Sequence, residues 1–497
     1  MKRIVFLIIA TLLVLGLVLP GCGGNGVEEE VIYTFPSKVI KIAIAGPMEY
    51  IQGEHMIAGA ELARDEINVA GVDIGGETHT IELVTVETKE IAQPYPGYSA
   101  AQVENAITVQ GANFVMGGFR TEATGPMIET AMDAKAMFFI AGSATGSLMQ
   151  QVNNNYDKYK YLFRATPINE TFLFLNCIVM LGMVGSGVMS ALSTTNSTAV
   201  NVAFLAEDLL WTATPIASVA GAIGPAGLNY TYLDTWKVSD TAADLTTQLN
   251  EIKAADAHII FTFLSGPVGL TYGLQMGELE VPAISLGINV ESQVPTFWDA
   301  TEYETGKFGA EGMISLMTWA PNIAQSGALT TDFLDAFETK TGEFPIYTAA
   351  TYDAIYGLVE ALEDEATWDA VEGVGSVLAD DLIGWMENPT NARTITSGTI
   401  GYYTMAHDAL VTAGIPCYAH DLKYGPAFAT GLGVQWRDDN EDDVGEITGI
   451  WPKKEYAGLA TALIPFNTYL GLNWTGFEWP GTTFYSIPTW MIGEWLS

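Results

Sequence analysis

Cys22 is the residue of this chain whose surroundings point most directly to a defined reaction. Lys2-Arg3, an uncharged apolar run from Ile4 to Leu19, and then Pro20-Gly21 precede its thiol. A basic region, an apolar region and a small residue before cysteine form the layout of a lipoprotein export signal. In that chemistry the sulfur takes a lipid and residues 1–21 are removed. Pro20 departs from the usual small residue, and an uncleaved N-terminal helix anchor is the second reading of the same stretch. Both readings place the residues after Cys22 outside the cell membrane.

Few other residues are spaced for chemistry. No HExxH, Walker A loop or GxSxG elbow occurs, and Gly142-Ser143-Ala144-Thr145-Gly146 has the wrong spacing for a nucleophile elbow. His407-Asp408 is an adjacent histidine–acid pair among five scattered histidines, and it reads as a solvated turn. Cys177 and Cys417 belong to no set of three or four cysteines and histidines at ligand intervals, so no metal site and no cofactor is expected. Carboxylates are abundant, but no local spacing marks a catalytic pair. The chain reads as a non-enzyme.

Composition narrows the class further. With 20 basic and 58 acidic residues the formal charge is −38, so there is no basic stripe to displace counterions from nucleic acid. A hydrophobic share of 49% against 16% charged residues calls for packed cores, and 497 residues allow two domains or one bilobal one. If Cys22 carries lipid, only Cys177 and Cys417 remain to pair, which rules out a disulfide-stapled scaffold. Cys177 lies in an apolar stretch and reads as a buried, inert thiol. Sequons at Asn169, Asn196, Asn229 and Asn473 are compatible with surface glycosylation.

Short apolar runs alternate with helical patterns along the chain. Strands are expected at 39–45, 80–86, 113–116 and 136–140, with helices at 56–69, 100–109 and 126–134 between and around them. A second series follows, with helices at 169–189, 242–254 and 268–279 and strands at 200–205, 258–263 and 284–286. A strand at 312–316 and helices at 331–340 and 349–363 come later. This rhythm implies α/β architecture with parallel sheets covered on both faces. The stretch 172–192 is uncharged, yet Asn176, Gly182, Gly185 and Gly187 interrupt it, and it reads as a buried helix rather than a membrane span.

The order of short motifs carries a resemblance. Ala45-Gly46-Pro47, Gly53, Gly59-Ala60-Glu61-Leu62-Ala63 and Glu66-Ile67-Asn68 are followed by Gly117-Gly118-Phe119-Arg120-Thr121-Glu122. Then come Gly142-Ser143-Ala144-Thr145, Phe163-Arg164-Ala165-Thr166-Pro167, Ala206-Glu207-Asp208 with Trp211, Tyr352-Asp353-Ala354 and Gln435-Trp436. Over roughly 39–452 the chain resembles the leucine/isoleucine/valine-binding proteins, type I solute-binding receptors of ABC importers. The resemblance implies two doubly wound Rossmann-like lobes, three hinge crossings and a ligand held in the cleft between them. Crossings are then expected near Arg164–Pro167, Leu286–Asn289 and Thr396–Gly401. The implied division is signal 1–21, flexible spacer 22–38, lobe 1 over 39–165 and lobe 2 over 166–286. Lobe 1 resumes over 287–398 and lobe 2 over 399–452, and an aromatic tail covers 453–497.

Site residues follow from the same resemblance. Thr121 matches a family serine, and Ser143, Ala144 and Thr145 match the loop whose N–H groups and hydroxyls hold a ligand carboxylate. Ser143 and Thr145 read equally as helix N-caps, and both roles can hold together. Trp211 matches an aromatic wall on lobe 2 and Tyr347 one on the lobe 1 side; Gln52 and Arg120 complete the ligand-binding candidates. Where the family places an acid for the ligand ammonium, this chain has Pro267, leaving Glu49, Glu122, Asp208 or Glu291 to substitute. Arg120 would fork onto a second ligand carboxylate or sit in a structural salt bridge. The expected function is a monomeric, lipid-anchored receptor that delivers a small carboxylate-bearing solute to an ABC permease. A ligand sensor for a signalling partner is the alternative, and an extracellular hydrolase a third reading.

Overall fold

Two sheets of the same winding carry the chain. The computed structural model describes residues 30–91, 96–166, 168–192, 199–223, 230–320, 328–388, 418–422, 432–439, 442–451 and 486–496. In lobe 1 the strand order is Val72–Ile74, Glu77–Glu87, Val39–Gly46, Phe114–Gly117, Met137–Ile140 and Leu162–Arg164. All neighbours pair parallel except the edge strand Val72–Ile74. Phe114–Gly117 and Met137–Ile140 are buried at every position, as strands covered on both faces must be.

Lobe 2 repeats the plan. Its order is Tyr230–Val238, Val200–Glu207, Ile259–Leu264, Ile284–Asn289 and Ile314–Met317, all parallel, and then Leu432–Arg437 and Glu446–Trp451, both antiparallel. In each lobe the second strand of the series lies outside the first and the third returns to the other side. The first and third strands therefore flank a switch point, where the following helices leave on opposite faces and open a crevice.

Helices cover these sheets where the spacing of apolar residues predicts them. Ile51–Ala70 ends at Gly71 with φ +78 and buries Met56, Ala60, Ala63 and Ile67. It packs against the short helix Tyr347–Ala350 so closely that a Cβ on Gly59 would stand 2.3 Å from the Ala349 carbonyl oxygen. That approach explains the small residues of the Gly59–Ala63 motif. Glu170–Leu192 is a buried lobe 2 helix, and among the described residues no helix is long and apolar enough to cross a membrane. Cys177 is fully buried in it, and burial pushes its thiol up to about 12.

Several boundaries differ from the sequence reading. The end of the spacer at 22–38 is ordered: Ile32–Phe35 pairs antiparallel with Val374–Leu378 and buries Tyr33 and Phe35. Lobe 2 does not end at Leu286. Ile284–Asn289 and Ile314–Met317 both belong to its sheet, so the return to lobe 1 follows Met317, and the helix Ala328–Thr341 packs on Ile51–Ala70. An excursion through Glu291–Gln293, Thr296–Ala300 and the hairpin 302–308 separates these two strands, and apolar patterning alone does not say which sheet a strand joins.

Residues 418–422, expected in lobe 2, pack on lobe 1, where Ala419 and Leu422 join its core. From the aromatic tail, Thr489–Leu496 docks on lobe 2 through buried Met491 and a Trp495 Nε1 hydrogen bond to the Pro282 carbonyl. Asn169 is buried and donates to Asp421, which removes it as a surface sequon. Cys22, Asn196, Asn229, His407-Asp408, Cys417, Asn473 and the crossing at 396–401 lie outside the described residues.

Candidate functional site

The loops leaving the two switch points meet between the lobes. In lobe 1, Gly117-Gly118 turns the chain out of its strand. A Cβ on Gly117 would fall 1.9 Å from the Ala45 carbonyl oxygen, and Gly118 has φ +81, a conformation other residues rarely adopt. Phe119 and Arg120 follow, and the helix Thr121–Asp133 begins at once. The next loop, Ala141–Thr145, ends in the helix Gly146–Asn154, whose N-cap residue is Thr145.

Thr121 Oγ1 lies 3.1 Å from Ser143 Oγ and 2.5 Å from Thr145 Oγ1, so three hydroxyls from two loops form one buried cluster. Ser143 N–H is tied to the Gly118 carbonyl at 3.0 Å, which joins the loops. Thr145 makes no side-chain cap bond to its own helix, so its hydroxyl is spent on the cluster. The Ala144 and Thr145 N–H groups have no hydrogen-bond acceptor among the described residues, although both residues are buried. Donors of this kind are costly unless a polar group meets them. Hydroxyls and N–H groups at a helix start, beside the positive end of its dipole, form a cradle for an anion.

Beneath the first loop sits Glu90, which the sequence reading did not select. Its Oε2 accepts the N–H groups of Phe119 at 2.9 Å and Arg120 at 2.7 Å, and its Oε1 accepts the Thr88 hydroxyl at 2.7 Å. Burial pushes this carboxyl up to about 7, although those three hydrogen bonds and the Arg120 charge pull it down. Glu90 follows a strand, Glu77–Glu87, that already carries three glutamates, so nothing local in the sequence singles it out.

Across the cleft, Arg120 does not stand free. Nη1 pairs with Glu207 Oε2 at 3.0 Å and donates to Ser265 Oγ, while Nη2 pairs with Asp240 Oδ2 at 3.0 Å. Burial draws the guanidinium down, but Glu207 and Asp240 outweigh it and hold its pKa above the ordinary value. Of the two readings of Arg120, the structure shows the salt bridge, and both carboxylates come from lobe 2. Gln52 also spans the lobes, its Nε2 reaching the Ser265 carbonyl at 2.9 Å and Glu291 Oε1 at 3.2 Å. Burial raises the Glu291 pKa, against the Gln52 hydrogen bond.

Glu207 is a fully buried acid on the lobe 2 side, beside the loop that leads to Pro267. It accepts the Ser265 and Gly266 N–H groups at 2.9 and 2.7 Å, the Ser265 hydroxyl at 2.6 Å and Trp211 Nε1 at 3.2 Å. The motif Ala206-Glu207-Asp208 pointed to Asp208, which is exposed; a lone acid closing the buried strand Val200–Glu207 was the better signal. Glu49 is exposed as well. Glu122 Oε1 accepts the Leu210 N–H at 2.8 Å, while its Oε2 is buried with no partner among the described residues.

Aromatic side chains close the remaining sides. Tyr347 stacks with Phe119 at 6.5 Å, and Trp211 meets Phe263 edge-on at 6.2 Å. Phe119, Ala144, Trp211 and Tyr347 belong to one apolar cluster that runs from the lobe 1 loops into the lobe 2 core. The structure thus brings together Thr121, Ser143, Ala144 and Thr145 as a cradle. Arg120 and Gln52 bridge the lobes, and Trp211 and Tyr347 lie in the apolar wall.

Comparison with known proteins agrees with this architecture. A family model described as periplasmic binding protein matches residues 42–380. No curated protein matches the chain. Among solved structures, a solute binding protein of an ABC transporter from Rhodopseudomonas palustris, in complex with 3,4-dihydroxybenzoic acid, superposes with a TM-score of 0.60 at 16% identity, covering 83% of this chain and 96% of that one. The branched-chain amino acid transporter substrate binding protein of Streptococcus pneumoniae, in complex with isoleucine, gives 0.59 at 16% identity over 83% and 99%. A leucine binding protein from Thermotoga maritima gives 0.58 at 14% identity over 82% and 97%. At these identities the likeness concerns the fold.

Proposed function

The chain belongs to the periplasmic binding protein family, a family of binders rather than enzymes, and from that premise we propose that it is the extracytoplasmic receptor of an ABC importer for a small organic carboxylate. The observation that carries this reading is the cradle of Thr121, Ser143 and Thr145 hydroxyls beside the Ala144 and Thr145 N–H groups. A carboxylate there accepts several hydrogen bonds at a helix start and needs no cation of its own. Arg120 is already matched by Glu207 and Asp240, so it serves closure rather than a second ligand carboxylate. Tyr347 and Trp211 bury the apolar part of the solute.

The neighbours above bind an aromatic acid and a branched-chain amino acid, and both suit such a cleft. An ammonium on the ligand would be met by Glu122 Oε2. Attachment to the outer face of the membrane through lipid on Cys22 completes the proposal, with an ABC permease as the partner that receives the solute.

Mass spectrometry of small molecules released on denaturing the purified protein tests this reading. Thermal-shift titration with amino acids, amides, dicarboxylates and aromatic acids follows. A bound carboxylate is expected, stabilising the protein by about 2.7 kcal/mol at a hundredfold excess over Kd, without turnover. Retention of only uncharged solutes, with no carboxylate raising the melting temperature, would sink the cradle assignment.

A further inference from the structure

Arg164 closes the strand Leu162–Arg164, and its guanidinium reaches the cradle loop from the side of the hinge. Nη1 donates to the Ser143 carbonyl and Nη2 to the Thr145 carbonyl at 3.1 Å, while Nε pairs with Asp421 Oδ1 at 2.8 Å. Both side chains of this ion pair are completely buried. Asp421 arrives on the segment 418–422, which the Arg164 N–H joins to the strand through the His420 carbonyl at 2.9 Å. Asn169 Nδ2 holds the second oxygen of Asp421 at 3.2 Å, and the Ala144 carbonyl accepts the Glu170 N–H at 3.0 Å. Three successive carbonyls of the cradle loop are therefore held by Arg164 and by the start of the helix that follows the crossing.

Peptide geometry turns this into a statement about binding. In a planar trans peptide the N–H points opposite the carbonyl of the same unit. The Ala144 N–H is thus aimed away from Arg164, and the Thr145 N–H away from Glu170. We propose that Arg164 is a positioning residue for anion binding: by holding the Ser143 carbonyl it fixes the direction of the Ala144 N–H, and by holding the Thr145 carbonyl it anchors the other end of the cradle loop. This inference rests on the cradle reading above. Asp421 neutralises the guanidinium, so Arg164 acts through the loop rather than as a counter-ion. Lysine cannot replace it, because one ammonium lacks the planar fork that serves two carbonyls and a carboxylate at once.

The test uses the full chain with Arg164→Lys and Asp421→Asn. L-Isoleucine and 4-hydroxybenzoate are titrated calorimetrically, each beside its carboxamide. Hydrogen exchange over 141–149 is followed without ligand. Arg164→Lys is expected to weaken the acids by about tenfold or more and their amides by far less. Exchange over 141–149 should rise about tenfold while the strand Phe114–Gly117 stays protected. Asp421→Asn keeps the guanidinium but removes the ion pair that holds it in place, so exchange over 141–149 should rise there too, though by less. An equal loss for acid and amide, or wild-type exchange over 141–149 in folded Arg164→Lys, would overturn the proposal. Should Arg164→Lys not fold, wild-type exchange over 141–149 in folded Asp421→Asn overturns it. If neither acid binds the wild-type protein, the functional reading fails for those ligands, while the exchange measurement still decides the role of Arg164.

Discussion

Arg120 Nη1 and Glu207 Oε2 stand 3.0 Å apart, one on each lobe, with both side chains buried. Removing one partner of a buried pair leaves an uncompensated charge and typically costs about 3–5 kcal/mol. Opening the cleft relieves that burden by hydrating the survivor, so the loss should appear as a shift toward the open form. Arg120→Ala is expected to enlarge the radius of gyration in solution scattering and to weaken ligand binding. Glu207→Gln should do likewise, and the double variant should lose less than the sum. Arg120→Ala with unaltered dimensions and affinity would show that the pair does not govern closure.

Within the cradle, Thr121 Oγ1 contacts both Ser143 and Thr145, whereas Thr145 contacts only Thr121 among the side chains of this cluster. A lost hydrogen bond to a charged group costs about 1.5–3 kcal/mol, roughly ten- to a hundredfold in affinity. Thr145→Ala should fall in that range and Thr121→Ala should exceed it. Trp211→Ala should cost at least as much, because it removes apolar wall as well as a donor to Glu207. Calorimetry with the carboxylate recovered from the protein checks the order; unchanged affinity in all three variants would put the ligand elsewhere.

Glu90 gives a pH signature. Burial pushes its carboxyl from the ordinary 4.5 up to about 7, so between those values the folded protein keeps a proton that the unfolded chain has released. Stability from this group is therefore full below about 4.5, declines as pH rises toward 7, and changes little above. The loss across that window is on the order of 3 kcal/mol. Glu90→Gln should flatten this component, read as the difference between the variant and wild type in urea unfolding at each pH. Parallel profiles for the two proteins would contradict a protonated Glu90.

Cys22→Ser tests the membrane tether. The variant should fold and bind as wild type but leave the membrane fraction, or remain unprocessed at the signal. Mass spectrometry of the N-terminus distinguishes these outcomes. Lipid still attached to the Cys22→Ser protein would defeat the assignment of Cys22, and firm membrane association without lipid would favour the uncleaved helix.

Much of the fold was legible because apolar periodicity is a local property. The runs ending at Ala45, Met116, Ile140 and Phe263 appear as strands within a residue or two of where they were expected, and the uncharged stretch 172–192 is a buried helix. Lobe membership was less legible. Ile314–Met317 and Ala419–Leu422 carry no mark of the sheet or core they join, since that choice depends on long-range crossings. The same holds for Ile32–Phe35, whose strand exists only because Val374–Leu378 offers it an edge.

The sequence by itself determined the α/β winding, the loops after Gly117 and Ile140 as places for a ligand, and the absence of recognisable catalytic motifs. Each rests on spacing within a few residues. Tertiary structure decided the charges. Arg120 belongs to Glu207 and Asp240, Arg164 belongs to Asp421 and the cradle carbonyls, and Glu90 sits beneath the Phe119-Arg120 turn. A buried charge takes whichever partners the fold brings within about 3 Å, and those partners lie 87, 120 and 257 positions away for the two arginines.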